Sequence, residues 1–430
     1  MSLFELIYKW RHYDISKALK DIEVVKKLAK EDFSIWKEEK KWEMASSLYE
    51  SNTVYRELVG NIFPKKWEDL PIVTKNDLQK DIKILISKPY ELKELYINNT
   101  SGSSGHPLTF AKDYYTQARV WAYKKMFSNM HGIDYFSSKE AKFYGMPKSF
   151  KAKVVQQIKD KILNRERFVV FELSDDIFKK WVKRFNRTKF DYIYGYTSSI
   201  VLFCRYLIEQ GIVLNKICPT LKVVIVTSEV CSSEDKAIIL QATGVEARNE
   251  YGTADAGLIG YECQAGTLHL CEENIYVERT EEGELLVTDL FNKAFPLIRY
   301  KVGDMAEISS EVCTCGTHNR SIKELQGRVN DVAILKSGKK IPGLTFYYIS
   351  RALLESSGVL KEFIIRQTAL DSFEFDVVSD KPLNPSDIKE LKKTAEEYLE
   401  SGLRIIVNKV EKIERPVSGK IKHFYSEIEI

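Results

Sequence analysis

Residues 283–304 read Gly-Glu-Leu-Leu-Val-Thr-Asp-Leu-Phe-Asn-Lys-Ala-Phe-Pro-Leu-Ile-Arg-Tyr-Lys-Val-Gly-Asp. The apolar alternation predicts a strand ending at Thr288-Asp289. A second strand then carries Arg299 into a turn at Gly303-Asp304. A carboxylate just after such a turn can accept two hydrogen bonds from a ribose diol, or simply cap a hairpin. Upstream, short β-branched or aromatic runs at 168–171, 192–194 and 223–227 alternate with helical patterns at 198–210 and 232–242. Strands alternating with helices predict α/β layers.

Working outward, residues 1–90 predict mostly helices, broken by a loop at Phe63-Pro64-Lys65-Lys66. Thr74 reads as the N-cap of a further helix. Beyond residue 327 the texture changes. A strand at 332–335, a turn at Ser337-Gly338, a helix near 345–356, strands at 363–366 and 373–378 and a helix at 385–401 predict a separate module of ~100 residues. The expected organisation is a large N-terminal α/β domain, 1–327, and a small C-terminal α+β domain, 328–430.

The chain has 430 residues, 44% hydrophobic and 29% charged, enough apolar material for a large core. Its 65 Lys and Arg against 61 Asp and Glu give +4, no electrostatic case for nucleic acid or a membrane surface. The basic clusters at 151–153 and 179–184 read as solvated helix faces. No apolar run approaches the ~20 residues of a transmembrane helix, and Glu5 and Lys9 interrupt the N-terminal apolar stretch, unlike a signal peptide. Seven cysteines in so long a chain argue against a disulfide framework. The expectation is a soluble cytoplasmic protein.

Several segments carry chemistry. Thr100-Ser101-Gly102-Ser103-Ser104-Gly105 puts little side chain between its backbone N–H groups and a ligand. It reads either as a phosphate cradle or as a flexible linker. It is not a P-loop, because His106-Pro107 replaces the Gly-Lys-Ser/Thr ending. Asn249-Glu250-Tyr251-Gly252-Thr253-Ala254-Asp255 offers a flat ring for a purine, a glycine and hydroxyl for phosphate, and a carboxylate for Mg²⁺. Gly327-Arg328-Val329-Asn330-Asp331 and Ser418-Gly419-Lys420 complete the set, though each is common by chance.

In this order, over most of the chain, the five segments resemble the adenylate-forming superfamily of acyl-CoA synthetases and adenylation domains. Phe-Pro-Leu-Ile-Arg-Tyr and the compact length are most similar to the phenylacetate–CoA ligase branch, which includes CapK-like proteins attributed to capsular polysaccharide synthesis. The resemblance implies ATP-dependent activation of a carboxylic acid as its acyl-AMP, with Mg²⁺, followed by transfer to CoA. It implies that Thr100, Ser101, Ser103 and Ser104 cradle the β- and γ-phosphates. Ser228 and Glu229 would line the adenine site, Tyr251 pack on adenine, Gly252 admit the phosphate and Thr253 contact its α-phosphorus group. Asp255 would hold Mg²⁺, and Asp304 the ribose with Arg328 beside it. Lys420 would arrive on a small domain that rotates over the active site and bridge the acyl carboxylate and the α-phosphate. The chain departs from the family at Asp255, where Glu is usual, at Asn330, where the hinge Asp is usual, and at Leu108, where many members have Lys.

Cys263, His269, Cys313 and Cys315 make three sulfurs and one nitrogen, the donor set of a closed structural zinc site. Cys271 could replace one of them, and unconnected reduced cysteines are the alternative to a zinc site. Rival functions are transfer of the acyl group to an amine or a carrier protein, and a scaffold that binds nucleotide without turnover. Many relatives are dimers, so a homodimer is open to this chain. Tyr144, Tyr194 and Tyr196 are candidates for the acid pocket, or for the core.

Overall fold

The computed structural model describes residues 8–100, 108–146, 150–170, 173–328, 333–338, 340–341, 346, 349, 360–379, 381–413 and 424–428. The chain divides into two units, one of residues 1–302 and 307–324, the other of 303–306 and 325–430.

In the first unit, β1 (Leu95–Asn99) and β2 (Thr109–Asp113) form an antiparallel hairpin. The main sheet uses β3 (Glu140–Tyr144), β4 (Arg165–Val169), β5 (Tyr192–Tyr196), β6 (Val223–Thr227) and β7 (Ala247–Thr253). It continues with β8 (Gly257–Glu262), β9 (Leu268–Leu270), β10 (Ile275–Arg279), β11 (Glu284–Asp289), β12 (Tyr300–Ser309) and β13 (Ser321–Arg328). Its order is β10-β11-β12-β13-β9-β8-β7-β6-β5-β3-β4. From β4 to β7 every pairing is parallel, and from β7 to β8 and β9 antiparallel. The chain leaves β3 toward one edge of the sheet and β5 toward the other, so the winding reverses between these two neighbours.

The parallel half is two-faced. Ala141, Phe143, Phe168, Ile193, Val224, Val226 and Ala247 join one buried core with Phe178, Trp181, Phe185 and Phe203. Those partners come from the helices Asp175–Arg187 and Thr197–Glu209. Phe143 stacks on Phe168 at 5.0 Å, and Trp181 meets both edge-on. Each such side chain contributes roughly 1.5–3 kcal/mol by leaving water. The alternate residues are polar: Glu140 and Lys142 stand opposite Tyr192 and Tyr194, and opposite Arg165 and Arg167. Parallel strands buried on both faces usually read as continuous apolar runs. These do not.

A second core of the first unit joins Met44, Leu48 and Tyr55 to Trp67, Phe110, Phe295 and Ile298. In the second unit, β16 (Leu360–Ala369) and β17 (Ser372–Ser379) lie between β18 (Arg404–Lys409) and β19 (Phe424–Ser426). Here β14 (Ala333–Ile334) and β15 (Lys340–Ile341) pair as a separate hairpin. The helix Pro385–Tyr398 starts at a capping box of Asn384 and Asp387 with Pro at its first position.

The strands near 168, 192, 223 and 285 and the helices near 198, 232 and 385 form where the patterns predict them. Two local readings fail. Gly303 does not end a strand: β12 runs through it with φ +79°, a conformation open to glycine without a Cβ penalty. Thr74 and Asp77 do bond as in a helix cap, but Leu78 and Gln79 return to Lys75 and Asn76, closing i→i+3 turns instead of a helix. The helix expected near 345–356 falls largely outside the described residues.

A Cβ at Gly195 would stand 2.4 Å from the Phe143 carbonyl oxygen, which cannot withdraw without breaking the strand. Gly195→Ala is expected to cost about 1–3 kcal/mol, read as a lower urea midpoint.

Candidate active site

The expected phosphate loop is closed at its base. Thr100 N–H donates to the Leu108 carbonyl and Leu108 N–H to Thr100 Oγ1, both at 2.9 Å. Ser101, Ser103 and Ser104 lie outside the described residues, as do Asn330 and Lys420. Arg328 is the last residue of β13, and Asp304 is buried in β12.

Ser228 and Glu229 follow the carboxyl end of β6, and Ser228 takes φ +72°, unusual for a residue with a Cβ. Glu229 is already engaged. Ser198 N–H donates to Oε2 at 2.7 Å and Ser198 Oγ to Oε1 at 3.1 Å. The carboxylate thus caps the helix Thr197–Glu209, where the macrodipole favours negative charge. It fixes the loop that presents Ser228.

Tyr251, Gly252 and Thr253 close β7, the strand at which the sheet changes from parallel to antiparallel. A Cβ at Gly252 would lie 2.2 Å from the Gly257 carbonyl oxygen, so that position also requires glycine. Thr253 Oγ1 accepts from Ala256 N–H at 3.1 Å. Asp255 is buried. Its Oδ1 accepts from Ala256 N–H at 3.0 Å, its Oδ2 from the Tyr300 hydroxyl at 2.7 Å.

Behind it sits a group that sequence reading misses. Lys112 is wholly buried, with its Nζ 3.9 Å from Asp289 Oδ2. Asp289 Oδ1 accepts from the N–H groups of Phe291 and Asn292, both at 3.0 Å. Burial pushes the Lys112 ammonium down and the Asp289 carboxyl up, while each pulls the other back. No local pattern marks Lys112, because its partner is far away in sequence.

Glu250 accepts from Lys124 Nζ and from the Tyr194 hydroxyl, both at 2.7 Å. Tyr144 lies against Tyr194 and Tyr196, with ring centroids 5.9 and 4.2 Å away, and interacts with the Ser228 hydroxyl. The three candidate pocket tyrosines therefore form one cluster beside Ser228. Deeper along the same face, Glu140 accepts from Arg165 Nε at 2.5 Å, Tyr192 Oη at 2.9 Å and Lys142 Nζ at 3.1 Å.

The sequence-proposed metal ligands also meet. The donor atoms of Cys263, His269, Cys313 and Cys315 all lie within 4.8 Å of one another. Cys263 and Cys313 sulfurs are 3.8 Å apart, and Cys315 Sγ is 3.3 Å from His269 Nε2. His269 Nδ1 faces the Asn319 carbonyl at 3.2 Å, a contact that orients Nε2 toward the sulfurs. Cys271 is buried outside this group.

No protein-family model matches the chain. Protein CapK of Staphylococcus aureus is 27% identical over 277 residues, covering 61% of this chain and 59% of that protein. Phenylacetate–coenzyme A ligase of Thermus thermophilus is 26% identical over 162 residues, 33% of this chain and 35% of that protein. Indoleacetate–lysine synthetase of Pseudomonas savastanoi is 28% identical over 137 residues, 30% of this chain and 33% of that protein. These matches thus span less than two thirds of each relative. In fold, the chain is similar to 2-hydroxyisobutyryl-CoA ligase in complex with its acyl-AMP, with TM-score 0.70, 16% identity, and 94% of this chain and 91% of that one covered. The fold is that of acyl-AMP-forming ligases. Sequence and fold together support a place for the chain in the adenylate-forming, acyl-CoA ligase-like superfamily.

Burial works to raise the Glu140 carboxyl, but Arg165 and Lys142 overcome it and hold it down at about 2. A depressed carboxyl stabilises the fold above its unfolded value and loses that contribution as pH falls toward the folded one. About 3 kcal/mol should therefore disappear between pH ~4.5 and ~2. Urea titrations across that window should show the loss in the wild type and a flatter slope in Glu140→Gln.

Proposed function

We propose that the chain activates a small carboxylic acid with ATP and then hands the acyl group to CoA. The observation that carries this reading is the meeting, at the carboxyl ends of β6 and β7, of the Ser228-Glu229 and Tyr251–Asp255 segments with a tyrosine cluster. The similarity in fold to an enzyme bound to an acyl-AMP supports it. A carboxylate oxygen attacks the α-phosphorus, a P–O bond to it forms, and the bond to pyrophosphate breaks. Two anions must approach, so the step needs positioning and positive charge more than a proton acceptor.

In this reading Tyr251 packs against adenine, Thr253 meets the α-phosphate and Asp304 takes the ribose hydroxyls. Thr100, Ser101, Ser103 and Ser104 hold the outer phosphates, with Arg328 near the ribose. Asp255 has the hard oxygen donors that Mg²⁺ prefers, and phosphate oxygens and water would complete its shell. The metal would supply positive charge at the phosphates. Lys420 would bridge the acid and the α-phosphate from the smaller domain, proposed as residues 328–430. Transfer to an amine is the second reading, favoured by the similarity to indoleacetate–lysine synthetase.

The test is pyrophosphate exchange into ATP across a panel of acids, then product analysis with CoA and with amines. Lys420→Ala is expected to lower exchange at least ~100-fold while ATP still binds. Exchange left intact would remove Lys420 from the chemistry, and ATP binding without exchange for any acid would point to a scaffold.

Three thiolates and an imidazole suit Zn²⁺, and four protein donors leave no position for water, so we assign the cluster a structural zinc. The purified protein should carry about one zinc per chain by elemental analysis. Cys263→Ser should lose the metal and lower the thermal midpoint. Protein free of zinc with an unchanged midpoint would show the thiols to be independent.

A further inference from the structure

Among the described residues, the polar face of the sheet between β3 and β5 carries one more cation than it has carboxylates to pair with. Lys124 has Glu250, and Arg167 holds Asp160 through two nitrogens, at 2.8 and 2.9 Å. Arg165 has Glu140. Among the described residues, Lys142 has only a share of that same Glu140, which Tyr192 also uses. Its ammonium instead lies over two rings, 4.6 Å from the centroid of Tyr144 and 4.2 Å from that of Tyr194. The Lys142 side chain keeps 11% of its exposure.

The position matters as much as the charge. Lys142 and Tyr194 are register partners, at the boundary where the winding of the sheet reverses. In open α/β sheets, ligands bind outside the carboxyl ends of the strands at such a reversal. Tyr144, the last residue of β3, touches Ser228. Lys142 is two residues deeper, roughly 7 Å along the strand. A cation whose counter-ion among the described residues is shared with Arg165, set under two tyrosine rings, carries a desolvation cost that an arriving anion would offset.

Resting on the adenylation reading, we propose that the acid is a short dicarboxylate or similarly doubly anionic acid, one carboxylate being activated near Ser228 while Lys142 binds the other. The tyrosine rings then bracket the linking carbons, and the distance selects acids near the length of glutarate or adipate. An alkyl or aryl monoacid would leave Lys142 with only its share of Glu140. Burial pushes the Lys142 ammonium down to about 7; the second carboxylate, with Glu140, would draw it back to the charged form against the opposing Arg165 and Arg167.

The experiment pairs pyrophosphate exchange with calorimetric binding, using succinate, glutarate and adipate against butyrate, valerate and hexanoate. Wild type, Lys142→Met and Lys142→Arg are compared after urea unfolding shows each folded. At least about a tenfold lower KM for a diacid than for its matched monoacid, erased in Lys142→Met and kept in Lys142→Arg, would uphold the proposal. Exchange with monoacids and no preference for diacids overturns it and leaves the adenylation reading standing. Diacid binding that depends on Lys142 without exchange upholds the anion site and overturns adenylation. Neither binding nor exchange with any diacid overturns the proposal.

Discussion

The register of β5 against β3 is the constraint on which the parallel half of the structure depends. Strand residues alternate between faces, so a slip of one position would exchange the aromatic core for the charged face. Gly195 holds that register by permitting a contact with the Phe143 backbone that no Cβ allows. Glu140 holds it from the other side, bonded to Tyr192 on one neighbouring strand and Arg165 on the other. With the register set, Phe143 and Phe168 pack against Trp181 and its helix, and Lys142, Tyr144, Tyr194 and Tyr196 line the opposite face.

That polar face is expensive, because each buried charge gives up hydration that its partner only partly restores. Replacing Glu140, Lys142 and Arg165 with apolar residues would make an ordinary doubly covered sheet. Local departures from packing rules concentrate where a protein has something to bind. Lys112, Asp289 and Asp255 form a second departure of the same kind, behind the Tyr251–Asp255 segment.

What was legible in the sequence was what depends on neighbours along the chain. The strand near residue 223 and the helix near 232 carry their own periodicity, whereas Ser228 between them was singled out only by the family resemblance. The Cys263–His269 and Cys313–Cys315 pairs were legible as donor chemistry, and the structure brings those four together. Lys112, Lys124, Glu140 and Lys142 were not legible, since an isolated lysine or glutamate in a strand looks like a solvated charge. Only pairing across distant segments reveals their burial. Asp304 misled through its glycine: Gly303 was read as a turn, and a positive φ inside a continuous strand has the same local signature.

The topology accounts for why these segments meet. Reversal of winding between β3 and β5 opens the carboxyl edge there, and the change from parallel to antiparallel at β7 turns the chain back on itself within a few residues. That tight return forces Gly252 against the Gly257 backbone and leaves Thr253 at the strand end and Asp255 on a short turn. The Cys and His cluster links β8 and β9 to the 313–315 corner, on the far side of that turn. An antiparallel half and a parallel half with a charged face therefore meet at β7. A segment whose geometry had to stay fixed while substrates exchanged would be best placed on that strand.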